Sequence, residues 1–269
     1  MREFSESYLS RTRDGMWDDS RTALEPLALD SRARILDVGC GTGELSRVLA
    51  AESAGDVIGC DVDIDLLATA GEHVPVVAGD ALTLPFPDDA FDLVVCQALL
   101  INLPDPATAL AEFARVSSDL VAAVEPNNAA VAIDSSVDAE DRLERRARQA
   151  YLDGVDTDVT LGADACSAFE AVGLEALETR RYDHVRTIEP PYSESALVAA
   201  RRKATGAGLS DDRRTMLSGT LTEAEYDDLR GSWREMGRAV VEQMEARQYH
   251  REEAIPFFVT VGRVDSRRE

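Results

Sequence analysis

Arg34-Ile-Leu-Asp-Val-Gly-Cys-Gly-Thr-Gly-Glu-Leu-Ser-Arg-Val-Leu49 is the stretch from which the rest of the chain can be read. The apolar run Ile35 to Val38 has the character of a strand buried on both faces. Gly39, Gly41 and Gly43 then let the backbone turn sharply and leave no side chain between it and whatever lies above. An amphipathic helix follows, with Leu45, Val48 and Leu49 on one side. Strand, glycine turn and helix together predict a nucleotide-cofactor site at the carboxyl end of an open parallel sheet.

Spacing narrows the ligand. A dinucleotide fingerprint needs a third glycine at the sixth position, for close helix–strand packing. Counting from Gly39, that position is Glu44, a carboxylate at the head of a helix where a pyrophosphate would dock and be repelled. Asp37 adds a second negative charge just before the turn. Such a turn calls for a ligand that carries positive charge and no phosphate.

Ile35-Leu-Asp-Val-Gly-Cys-Gly-Thr-Gly43 resembles the first motif of the class I S-adenosylmethionine-dependent methyltransferases. The resemblance implies S-adenosylmethionine, a sulfonium cation with a free amino group, in agreement with the charge argument. It also implies cofactor contacts from Asp37, Gly39, Cys40 and Gly41. Asp56-Val-Ile-Gly-Cys-Asp61 reads as a second strand, and Asp61 falls 22 positions after Gly39, near the spacing at which an acid grips ribose hydroxyls. Val62 would offer an apolar side to the adenine, while Asp63 and Asp65 fit the capping of the next helix. Val74 to Ala81 reads as a third strand. There the resemblance places Asp80 on the adenine amine and the backbone N–H of Ala81 on a ring nitrogen. Leu93 to Cys96 is a fourth strand closed by Gln97, and Cys96 and Gln97 complete the expected cofactor contacts. In Tyr8 to Trp17 the resemblance suggests a flap, from which Arg11 or Arg13 would pair with the cofactor carboxylate; the alternative is an amphipathic segment packed on the sheet.

The expected architecture is α/β: a Rossmann-like, seven-stranded, mostly parallel sheet with helices on both faces, and a helical insertion before the last strand. Residues 1–30 form the leading segment, with a helix expected over Ser20 to Leu29 interrupted at Pro26. Residues 31–188 and 254–265 form the sheet domain, and 189–253 form the insertion. A charged helix is expected over Val137 to Tyr151, and a strand around Leu174 to Tyr182. Glu223 to His250 is the longest helix candidate, with Leu229, Trp233, Met236, Val240 and Met244 at three- and four-residue steps. Glu189-Pro-Pro-Tyr192 superficially matches a nucleic-acid methyltransferase tetrapeptide. It lies after the wrong strand and begins with Glu, so it reads as a stiff connector.

Composition bounds the rest. An apolar fraction of 45% supports a large core, and no apolar run approaches membrane-spanning length. The amino terminus lacks a signal-peptide core, so the expectation is a cytoplasmic protein without membrane association. Cys40, Cys60, Cys96 and Cys166 lack metal-type spacing, and no metal site is expected. The chain has 51 acidic against 28 basic residues, a net charge of −23, and Lys203 is its only lysine. Such a surface suits a high-salt interior of the halophile type and argues against a nucleic-acid partner. The expected partner is a small-molecule methyl acceptor above the fourth and fifth strands. Gln97, Asn102, Glu125 and Asn127 are placed there, with His184 as a further candidate. None stands out as a base, and Asn102 occupies a position where the family commonly has histidine. An RNA or protein acceptor, or a non-catalytic cofactor-binding module, remains compatible with the same residues, and the oligomeric state is left open.

Overall fold

The computed structural model describes residues 9, 12–13, 15–18 and 21–265. Arg11, one of the two arginines expected in the flap, lies outside the described residues. The chain forms two compact units: residues 1–127, 160–182 and 256–269 in the first, and 128–159 and 183–255 in the second.

The first unit is built on β1 (Arg34–Val38), α1 (Glu44–Glu52), β2 (Asp56–Asp61), α2 (Ile64–Ala70), β3 (Val76–Ala78), β4 (Phe91–Gln97), α3 (Pro106–Val116) and β5 (Ser117–Pro126). The strands β1 to β5 are parallel in the order β3-β2-β1-β4-β5. Ile35 and Leu36 of β1 are fully buried and Val38 nearly so, as a central strand covered on both faces requires. Asp63 caps α2 by accepting from the N–H of Asp65 and Leu66, in keeping with the expected capping role. Asp105 caps α3, with Pro106 at the first helical position where its missing N–H costs nothing. After α5 (Ala165–Ala171) two long strands follow, β7 (Glu175–Ile188) and β8 (Arg251–Arg263). Strand β8 runs antiparallel to β5, pairing Glu125 with Phe258 and Leu120 with Arg263, and β7 lies beside it.

The second unit contains β6 (Ala132–Ser135), α4 (Glu140–Gly154), α6 (Glu194–Thr205), α7 (Ala207–Asp211), α8 (Arg213–Ser218) and α9 (Glu223–Glu245). Strand β6 pairs antiparallel with residues 251–254 of β8. Leu229, Trp233, Met236, Val240 and Met244 are all buried along α9, so the periodic stripe is core. A capping box, Thr222 with Glu225, starts that helix.

Three details differ from the sequence reading. The sheet has eight strands rather than seven, because the short β6 follows β5. Of the helix expected over Ser20 to Leu29, the described residues 21–29 form no α-helix: Pro26 interrupts the backbone pattern, and 3-10 turns over Arg21–Leu27 and Leu29–Ser31 stand there. Residues 128–159, placed in the sheet domain by sequence, group with the helices of 183–255. No helix among the described residues is long and apolar enough to cross a membrane.

Candidate active site

Strand β1 ends at Asp37 and Val38, and the glycine turn is laced over the end of β2. Gly39 and Cys40 both donate to the carbonyl of Cys60, at 2.7 and 3.1 Å. Gly39 and Gly41 have φ of +69° and +54°, a region closed to most side chains. A Cβ on Gly39 would fall 2.8 Å from Cδ1 of Leu99, and one on Gly41 would fall 3.0 Å from Cδ1 of Leu9 and 3.8 Å from Nη1 of Arg13. Leu9, Arg13 and Leu99 therefore cover the turn. Leu9 and Arg13, the described residues of the leading segment that reach Gly41, fit both the flap and the packed-segment expectation.

Asp37 is 1% exposed beneath this cover. Its Oδ2 accepts from Ser46 Oγ at 2.6 Å, whereas Oδ1 has no partner among the described residues. Burial pushes its pKa up to about 7, against the pull of the Ser46 hydrogen bond and the Arg13 charge. Asp61 turns both oxygens to backbone: Oδ2 accepts from Gly41 N at 2.8 Å and Oδ1 from Asp63 N at 2.9 Å. Asp80 is exposed, with Oδ1 taken by Leu82 N at 2.9 Å, and Ala81 beside it is buried. Val62 and Ile64 leave 52% and 69% of their surface in solvent next to Asp61. Glu44, the residue that argued against phosphate, accepts from Thr42 Oγ1 at 2.7 Å and so stays at the mouth of the turn.

The other expected contacts divide. Arg13 donates to the carbonyl of Gln97 at 3.4 Å and lies over Gly41, so it joins β1 to β4 across the turn. The side chain of Gln97 is held by the leading segment, Oε1 by Trp17 Nε1 at 3.0 Å and Nε2 against Met16 Sδ at 3.2 Å. It therefore anchors the cover in this arrangement. Cys96 is fully buried, its thiol 3.8 Å from Glu125 Oε1, because the side chain points into the core from a strand covered on both faces. Cys40 likewise turns its thiol away from the mouth of the turn, into a cluster with Leu67 and Ala70.

Glu125, offered by sequence as base or cap, is a cap. Its carboxylate accepts from the N–H groups of Leu99, Leu100 and Ile101 at 3.1, 2.8 and 3.4 Å and fixes the loop after β4. Burial raises its pKa to about 7 while those N–H groups hold it down. Asn102 donates from Nδ2 to Ala98 O at 2.7 Å, and its buried Oδ1 has no partner among the described residues. His184 belongs to the second unit and is 4% exposed.

Sequence reasoning missed Ser46, Leu99 and Tyr182. Ser46 sits one turn into an amphipathic helix and looks like any small helical residue. Leu99 looks like loop packing. Tyr182 looks like one member of an alternating strand, yet its hydroxyl is buried without a partner among the described residues. No group of three or more His, Cys, Asp and Glu side chains among the described residues could hold a metal ion.

An ammonium beside a carboxylate fits this residue set. The unpartnered Asp37 Oδ1 suits the former and the Arg13 guanidinium the latter. Known proteins agree with the family that the motif suggests. Residues 36–119 match the family model described as methyltransferase domain. The chain is 38% identical over 117 residues to the demethylmenaquinone methyltransferase of Corynebacterium efficiens, covering 43% of this chain and 49% of that protein. It is 40% identical over 107 residues to the 2-phytyl-1,4-naphtoquinone methyltransferase of Synechococcus elongatus, covering 36% and 46%. Among solved structures, a chain from the complex of the Haloferax volcanii Trm112 methyltransferase activator with a methyltransferase aligns over 96% of this chain and 94% of its own, at 17% identity and a TM-score of 0.55. The YcgJ protein of Bacillus subtilis aligns over 90% and 98%, at 16% identity and a TM-score of 0.51. At these identities the structures speak for the fold. The chain spans about half the length of the curated relatives it matches, and the family-model match over residues 36–119 includes the glycine turn, Asp61 and Asp80.

Proposed function

We propose that the chain is an S-adenosylmethionine-dependent methyltransferase acting on a small-molecule acceptor. The observation that carries this is the carboxylate oxygen of Asp37 left without a partner among the described residues under a glycine turn, with Arg13 laid across it. The methyltransferase-domain match and the methyltransferase relatives support the same cofactor. When bound, the cofactor supplies a methyl group already activated on a sulfonium.

The residues of this chain hold and exclude. Asp37 takes the ammonium, Arg13 the carboxylate, Asp61 the ribose hydroxyls and Asp80 the adenine amine, while Val62 and Ile64 offer apolar surface to the base. The cover formed by Leu9, Arg13, Met16 and Trp17 excludes water, which strengthens each polar contact beneath it. Gln97 and Glu125 act as positioning residues, for the cover and for the loop after β4. A proton released by the acceptor goes to water, since the carboxylate nearest the acceptor side is committed to three backbone N–H groups. The acidic composition further supports a cytoplasmic protein adapted to high salt.

Calorimetry with S-adenosylhomocysteine and with NADH tests the cofactor. Binding of the former and not the latter is expected; the reverse would sink the reading. Incubation with labelled methyl donor and either total RNA or a metabolite extract then tests the acceptor class, and label entering only the RNA would overturn a small-molecule acceptor.

A further inference from the structure

The second unit carries an open cavity of about 480 Å³, in the size range of small-molecule sites, lined by Ser210, Asp211, Arg213, Arg214, Leu217 and Ser218. Its walls come from α7 and α8, the short helices between α6 and α9. The sequence here inverts the charge balance of the chain. From Arg201 to Arg214 five bases (Arg201, Arg202, Lys203, Arg213, Arg214) stand against Asp211 and Asp212, while the whole chain has 28 bases against 51 acids. Some of the charges that line the cavity are already matched. Asp211 is ion-paired with Arg202, and Arg213 with Glu223. Arg213 also lies over the ring of Tyr226, 5.3 Å from its centroid, which orients its guanidinium. Arg214 has no ion pair or side-chain hydrogen bond among the described residues. From α9, Arg230 Nε donates to Ser210 Oγ at 3.2 Å, and Arg230 has no carboxylate partner among the described residues either.

In a chain with this excess of acid, arginines left without a carboxylate are matched to an anion from outside. The two hydroxyls in the wall are already committed: Ser210 donates to Gly206 O at 3.0 Å, and Ser218 lies on Gly154 O and Thr215 O at 2.9 and 2.7 Å. The donors left for a ligand are guanidinium N–H groups, whose fork matches phosphate oxygens two at a time. One exposed ion pair holds little in water. Here Arg213 and Arg214 line the same cavity, and Leu217 adds apolar surface for the body of a ligand. A phosphate monoester, with a charge of about −1.5 to −2 at neutral pH, balances both Arg214 and Arg230, whereas a monocarboxylate leaves one of them unmatched. We propose that this cavity binds the phosphate group of a small phosphorylated molecule, with Arg214 as its principal contact and Arg213 as its second. The site is built from residues of the second unit and is independent of the cofactor reading, which concerns residues of the first.

The test is calorimetry of the full chain with phenyl phosphate, benzoate and inorganic phosphate, at one ionic strength set with KCl so that general screening is the same in every titration. Wild type should bind one equivalent of phenyl phosphate, about tenfold tighter than benzoate because of its greater charge. Inorganic phosphate should compete with it, since the phosphate group carries the recognition. Arg214→Gln should weaken phenyl phosphate binding about tenfold and keep the wild-type melting temperature, because the Arg214 guanidinium holds nothing else in the fold. Arg142→Gln is the control for net charge: it removes an equal charge from an exposed arginine of α4 that also has no ion pair among the described residues. Arg142 stands twelve residues, about 18 Å along α4, from Gly154, the residue that Ser218 touches. Its variant should bind phenyl phosphate as wild type does. No saturable binding by wild type, benzoate bound as tightly as phenyl phosphate, or a loss in Arg214→Gln no larger than in Arg142→Gln would each overturn the proposal.

Discussion

Asp37 holds a proton more tightly in the native protein than in the unfolded chain. Its pKa rises from 3.8 to about 7 because burial penalises the charged form. The sign of the linkage follows: stability from this site is fully present below the unfolded value and is lost as pH climbs through about 7. A cationic amine placed on Oδ1 favours the ionised form and expels the proton. We therefore expect S-adenosylhomocysteine to bind more tightly as pH rises from 5.5 to 7.5, on the order of tenfold, with proton release visible as a dependence of the binding heat on the buffer's ionisation enthalpy. Asp37→Asn should abolish that pH dependence and weaken binding by roughly tenfold or more. A flat affinity profile in wild type would mean the amine does not sit there. Glu125 has a similarly raised pKa but a different role. Glu125→Gln turns an acceptor into a donor facing backbone N–H groups, and should cost about 1–3 kcal/mol of stability by chemical denaturation. The pH profile of turnover should keep its shape, as a lost base would not allow. Sequence could not separate base from cap at Glu125, because the choice depends on the path of residues 99–101, which no local pattern encodes. At Asp61 the position at the end of a strand was legible, since strand length and glycine spacing are local.

Elements with strong periodicity were the most legible. The stripe from Leu229 to Met244 predicts α9 because every apolar step lands on one face. Strand β6 was not legible: Ala132-Ile-Asp-Ser135 is four residues, half-buried and without a clear alternation, and its pairing partner lies more than a hundred residues away. In the second unit, the approach of α9 to α6 separates two glycines of α9 that look equivalent in sequence. A Cβ on Gly237 would lie 2.3 Å from backbone atoms of Lys203 and Ala204 in α6, whereas one on Gly231 would meet nothing within 4 Å. Backbone cannot yield as a flexible side chain can. Gly237→Ala should therefore destabilise by about 2–3 kcal/mol through overpacking. Gly231→Ala should stabilise by about 0.5–1 kcal/mol, the helical cost of glycine relative to alanine. Urea denaturation of both variants checks the contrast, and equal effects would mean α6 and α9 do not approach at Gly237.

At the scale of the molecule, charge was the legible property and the division into two units was not. Composition gives the net charge without any structure, but the grouping of residues 128–159 with 183–255 depends on contacts such as those of α4 with α8. The excess of acids over bases means that at least 51 − 28 = 23 carboxylates have no basic residue to balance them. These charges repel across distances set by the ionic strength, about 30 Å at 0.01 M and about 3 Å at 1 M. The unfolded chain spreads the same charges apart, so repulsion opposes the compact state chiefly in dilute buffer. The melting temperature should accordingly climb between 10 mM and 1 M KCl. The shape of the rise identifies its cause. Screening acts through the inverse square root of ionic strength, so most of the gain belongs to the first few hundred millimolar; a salting-out effect on apolar surface would grow linearly to the highest concentrations. A melting temperature insensitive to KCl would show that the acidic surface imposes no load on folding, and a strictly linear rise would assign the stabilisation to buried apolar area instead.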